Sequence, residues 1–121
     1  MTEIALHIYH LDDNEEAEEI IQLLNQAGIG ERWLIERPTE ETNAIFVRVN
    51  VAESNDEEWK IRQRKFKKAV ELLGDLDEET IHKIKGSVAM RIHTPEFYLP
   101  IPAKFVWECG RLGLEICILH I

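Results

Sequence analysis

Three segments of the chain set apolar residues at every second position: Ile4, Leu6 and Ile8; Ile45, Val47, Val49 and Val51; and Val88, Met90 and Ile92. A strand turns successive side chains to opposite faces, so this period of two describes strands buried on one face and free on the other. The strands of a doubly wound parallel sheet are covered on both faces and read instead as continuous apolar runs. Strands and helices alternate along this chain, yet the pattern predicts one mainly antiparallel sheet with helices on a single face. The opposite face is left to solvent or to a ligand.

Around those segments the local signals order the elements. Residues 3–10 form the first predicted strand. In LDDNEEAEEIIQLLNQAG, Asp13 stands as N-cap with Glu16 three residues on, Ala17, Ile20, Ile21, Leu24 and Ala27 recur at helical spacing, and Gly28 is the stop. Residues 32–37 (RWLIER) and 44–51 (AIFVRVNV) read as a hairpin across the turn-type stretch PTEETN. A second helix is expected from Ser54 or Asn55, with Trp59, Phe66, Val70 and Leu73 on its buried stripe and Gly74 beyond its end. LDEETIHKIKG adds a short helix capped by Asp77, and SVAMRIHT a strand. Pro102 opens a last helix carrying Phe105, Val106, Cys109 and Leu112, and Gly113 precedes the final strand LEICILHI. The expected fold is a single α+β domain over 1–121, a two-layer sandwich whose β-α-β-β-α-β portion is ferredoxin-like with an α-β added at the C-terminus. A hydrophobic content of 45% supplies one continuous core for it.

Lys and Arg total 14 against 23 Asp and Glu, and the net charge of -9 repels phosphate backbones and anionic membrane surfaces, so no nucleic acid or membrane partner is expected. The basic stripe Lys60, Arg64, Lys67 and Lys68 follows the acidic ESNDEE, an arrangement that the helix dipole and solubility explain without a ligand. Cys109 and Cys117 stand alone, without CxxC or disulfide-framework spacing, and are expected to be free thiols in a reducing compartment. With no basic leader segment and no apolar run near the ~20 residues of a membrane span, a cytoplasmic location is expected.

No phosphate-binding loop, dinucleotide fingerprint, nucleophile elbow, HExxH or EF-hand pattern occurs, so no catalytic residue and no cofactor is assigned. His7 and His10 are three apart on a strand, which turns their rings to opposite faces, and no metal site is expected. Residues out of phase with the core positions share the open face of the sheet: Glu3, His7, Tyr9, Arg48, Asn50, Arg91, His93, Glu115 and Cys117. Among these, His7, Arg48, Arg91, His93 and Glu115 are the candidates for holding an anion or moving a proton, because Arg offers fixed donors and His titrates near neutrality. Cross-strand charge pairing explains the same residues without a ligand. A second candidate surface is the acidic helix start, Asp12, Asp13, Glu15, Glu16, Glu18 and Glu19, with Trp33 either anchoring a partner or covering the core.

The C-terminal stretch YLPIPAKFVWECGRLGLEICILHI resembles the close of a bacterial family of uncharacterised proteins, domain-of-unknown-function family 4279. In that family a last helix follows apolar and proline residues and leads through a leucine-glycine-leucine turn into a terminal strand. The opening ALHIYHLDDNEEAEEIIQLLNQAGI resembles the family's first strand, acidic turn and helix, whereas residues 29–75 lack its glycine-rich segment before a tryptophan-bearing strand. The resemblance implies a small bacterial cytosolic protein and carries over no catalytic residue; some such proteins are immunity factors that neutralise toxins. The leading expectation is thus a non-catalytic interaction module, an immunity-type inhibitor meeting a basic toxin domain through the acidic helix start. The alternative is a small-molecule or anion-binding protein, or an enzyme, working from the open sheet face. A third is a subunit burying that face in a homodimer, and composition leaves monomer and homodimer both open.

Overall fold

The first helix shows how local chemistry sets the architecture. The Asp13 carboxylate accepts the backbone N–H of Glu16 at 2.8 Å, and the Glu16 carboxylate accepts that of Asp12 at 3.0 Å, so two otherwise orphaned donors are satisfied reciprocally. In the computed structural model, which describes residues 1–121, strand β1 (Glu3–Tyr9) leads into this helix, α1 (Asn14–Gln26). Gly28, at φ +84, turns the chain in the left-handed region into a short helix, α2 (Ile29–Arg32). Strands β2 (Ile35–Glu36) and β3 (Ile45–Arg48) follow, then helices α3 (Glu58–Asp75) and α4 (Glu78–Lys83), strand β4 (Ser87–Thr94), helix α5 (Ala103–Leu112) and strand β5 (Glu115–His120).

The sheet order is β2-β3-β1-β4-β5, antiparallel at every pairing except β4 with β5, which are parallel and joined across α5. The first four strands therefore stand in the ferredoxin-like order, with α5 and β5 added at one edge. Ile4, Leu6, Ile8, Ile45, Val47, Met90 and Ile92 all belong to one core of 26 buried residues that includes Ile20 and Leu24 of α1, Phe66 and Leu72 of α3 and Phe105 of α5. The opposite face holds a small buried cluster of Ala5, Ala44 and Phe46, with Ala89 buried beside it, so the molecule has two layers and one main core.

Four local expectations are corrected. α3 starts at Glu58 rather than near Ser54, because the Ser54 hydroxyl accepts the N–H of Asp56 at 3.1 Å and holds that segment as a turn. Trp59 is 46% exposed, not core. It keeps phase with Phe66, but Glu58 and Lys65 both bond the backbone of Thr2, just ahead of β1, so the first turn of α3 lies at the end of the sheet rather than over it. The segment 32–37 yields only a two-residue strand behind the unforeseen α2, and Val106 on α5 faces outward.

Candidate functional site

Register places the open-face residues in rows. Ala5 on β1 lies between Arg48 on β3 and Arg91 on β4; His7 lies between Phe46 and Ala89; Glu3 is opposite His93. One strand further out, Glu115 is opposite Ala89 and Cys117 opposite Arg91. His7, Arg48, Arg91, His93 and Glu115 thus share one face, although Glu115 sits beyond the group that closes around Ala5. With only a methyl at the centre of its row, Ala5 leaves a notch of about 330 Å³, walled by Glu3, Thr42, Phe46, Arg48, Arg91 and His93.

The two arginines are in different states. Arg48 donates from Nε to the Glu36 carboxylate at 2.7 Å, and its guanidinium lies 4.6 Å from the Phe46 ring centroid. Its charge is already balanced. Arg91 forms no ion pair and no hydrogen bond, and its Nε is buried without a partner; the Nε2 of His93 is buried and unpartnered as well. The Arg91 guanidinium is 5.8 Å from the Phe46 centroid, a distance at which the ring face contributes some cation attraction without accepting a hydrogen bond.

His7 stacks on Phe46 at 4.6 Å and on Tyr9 at 4.7 Å between ring centroids, forming an aromatic wall beside the notch. Burial, followed by the positive fields of Arg91, His93 and Arg48, lowers the His7 pKa to about 4. His93 is lowered too, first by burial and then by Arg91, with Glu3 pulling in the opposite direction and Arg48 adding to the depression. Guanidinium, not imidazolium, therefore supplies the positive charge of this face at neutral pH. Phe46, Thr42 and Glu36 were not among the sequence candidates. Phe46 is in phase with the open face and could have been found from alternation; Glu36 and Thr42 depend on how β2 and its loop return to the sheet. Asn50, expected on the open face, lies past the end of β3 and lines a neighbouring cavity instead.

The acidic candidates are arranged differently. Asp12, Asp13, Glu15, Glu16 and Glu19 border a shallow depression with Lys85, while Glu18 is turned to an ion pair with Arg37. Trp33 does not stand out as an anchor. It is 6% exposed, packed in the main core, and its indole N–H donates to the Asp75 carboxylate at 2.8 Å. Arg32 bonds Glu71 and the same Asp75 oxygen, and its guanidinium lies 5.2 Å from the Trp33 ring centroid. Cys109 and Cys117 are unpaired; burial, with the Glu108 carboxylate adding, pushes the Cys109 thiol up to about 12.

No group of three His, Cys, Asp or Glu side chains is placed to hold a metal ion, and no helix is long and apolar enough to cross a membrane. No family model, no curated protein and no solved structure matches the chain.

Proposed function

We propose that the open sheet face is a binding site for a small anion, with Arg91 as the principal charge and Arg48 and His93 beside it. The observation that carries this reading is the state of Arg91, a guanidinium with no acidic partner and a buried, unbonded Nε at the wall of a notch, in a chain of net charge -9. With 23 carboxylates available, leaving a partly buried guanidinium unpaired is a cost to folding, since a buried donor without an acceptor forfeits about 1–3 kcal/mol and a charged one more. A carboxylate or phosphate seated over Ala5 gives the guanidinium the counter-charge it lacks, and the guanidinium fork favours a planar, two-oxygen contact. Neutral His93 offers a second donor or acceptor according to its tautomer. The arrangement binds and orients; it contains no nucleophile paired with a base, and the proposal assigns no reaction.

The immunity-type reading draws on the acidic start of α1, and with Trp33 buried that surface has no large apolar anchor of its own. The anion reading has the better physical support. Its test is a titration of the protein with sodium acetate and with inorganic phosphate, followed through the ring resonances of His93 and His7. Saturable shifts in the wild type that vanish in Arg91→Ala are expected. Shifts of equal size in both proteins, or none in either, would overturn the proposal.

A further inference from the structure

The anion notch is not isolated. A second concavity, of about 540 Å³, lies at the end of the sheet between the segment after β3 and the first half of α3, and it shares Glu3 and Arg48 with the notch. That volume falls in the range of small-molecule sites. Ile4, Val49, Val51, Ala52 and Ile61 give it apolar walls, with Asn50, Ser54 and Asn55 on its polar side. We infer that the two concavities form one site for a monocarboxylate carrying an apolar body, the carboxylate at Arg91 and the body extending past Arg48 into the second cavity. This inference rests on the anion reading and adds the class of ligand.

Charge decides for a single negative group. Arg48 is neutralised by Glu36 at 2.7 Å, which leaves Arg91 as the one cation of the notch without an ion pair. The carboxylates of Glu3 and Glu53 line the path, and the whole chain is negative, so each further charge on a ligand meets repulsion. Lys65 also borders the second cavity, yet it is 7% exposed and its ammonium is held by the Thr2 carbonyl at 2.7 Å. Its role there is to fasten the chain ahead of β1 to α3, and its hydrocarbon stem adds to the wall. A carboxylate at one end and apolar walls at the other describe an amphiphilic acid, such as a medium-chain acyl or arylalkyl acid.

The test compares sodium octanoate, sodium acetate and 1-octanol as probes of the full chain, by the same ring resonances together with the methyl resonances of Val51 and Ile61. Octanoate is expected to bind at least about tenfold tighter than acetate, the gain from burying roughly two methylene groups. Ala52→Trp, at an exposed position on the cavity rim, is expected to bring octanoate down to the affinity of acetate while acetate is unchanged. Val51→Asp, which sets a charge against the acyl chain in place of bulk, gives the same comparison should the tryptophan variant lose thermal stability. Equal affinities for octanoate and acetate would overturn the inference and leave the anion reading standing. Octanol binding as well as octanoate, or octanoate moving the Val51 and Ile61 methyls with no response at His93, would overturn it also. If neither acid binds, both readings fall together.

Discussion

The start of α1 and the open face of the sheet are the two charged regions of this molecule, and they hold their charges in opposite ways. At the helix start, Asp13 and Glu16 accept backbone N–H groups, Glu18 pairs with Arg37, and the remaining carboxylates stand in solvent beside the positive end of the helix dipole. Every charge there has water or a partner. On the open face fewer charges are present, but burial depresses two imidazoles and leaves a guanidinium nitrogen without an acceptor. The density of charge thus points to one region and the unmet demand for a partner to the other. Unmet demand is the better indicator of a binding site, because exposed charges interact weakly with whatever approaches, whereas a desolvated donor gains the full strength of its bond.

The sharpest way to break this contrast is to remove charge from each region and measure anion binding. Arg91→Ala is expected to weaken acetate or octanoate binding by about 10–100-fold, the loss of one charge-assisted bond or two. Replacing Glu15, Glu16, Glu18 and Glu19 with glutamine together is expected to change the same affinity by less than about twofold, since the helix start lies away from the notch and its field is screened over ~10 Å at 0.1 M salt. Calorimetric titration of both variants decides. A larger effect from the glutamine set would show that the bulk field, not the local guanidinium, controls binding.

The contrast inverts for stability in the absence of ligand. Asp13→Ala removes the side-chain cap of α1 and is expected to cost about 1 kcal/mol in urea unfolding. Arg91→Met keeps the aliphatic volume, removes an unbonded buried donor, and is expected to raise stability by about 1 kcal/mol or more. Should Arg91→Met destabilise by as much as the cap variant, the guanidinium would have a structural role and the argument from its unpaired state would fail.

How much of this was legible beforehand follows from the range of each signal. The strands β1, β3 and β4, the caps Asp13 and Asp77, and the ferredoxin-like portion were readable because alternation and capping act within a few residues. Alternation also set His7, Arg48, Arg91 and His93 on one face. It could not show that Ala5 separates the two arginines, because that depends on the register of β1 against both neighbours. The sequence pattern puts Trp59 in the core and leaves Trp33 open between core and partner anchor for the same kind of reason: α2 carries Trp33 into the core, and the first turn of α3, at the end of the sheet, leaves Trp59 exposed. The state of Arg91 was invisible for a further reason, since an absent partner is a property of the whole neighbourhood.

A smaller effect separates the regions by pH. His7 has a folded pKa of about 4 against an ordinary 6.5, so above pH 6.5 both the folded and unfolded chains carry it neutral and its contribution to stability is complete. As pH falls from 6.5 toward 4 the unfolded chain takes up the proton first, and stability declines through that window. His7→Phe, which retains the stack on Phe46, is expected to make the decline from pH 6.5 to 4 shallower in urea unfolding. An unaltered pH dependence would show that the ring is not desolvated in the manner described.

The least of the expected effects bears on His93 and on the bound state. Its pKa is depressed by burial and by Arg91, with Glu3 opposing, so the free protein carries it neutral at pH 7. A bound carboxylate brings negative charge to the notch that His93 lines, partly offsets the field of Arg91 and favours the imidazolium; by linkage the protonated protein must then bind the carboxylate more tightly. Affinity for acetate is therefore expected to rise as pH is lowered below neutrality, while acetate stays largely ionised. The neutral amide of His93→Asn can still donate a hydrogen bond but cannot take up a proton, and it is expected to flatten this rise while leaving most of the affinity at pH 7.5. A slope that persists in His93→Asn would show that the proton is taken up elsewhere, and would remove His93 from the bound carboxylate's surroundings.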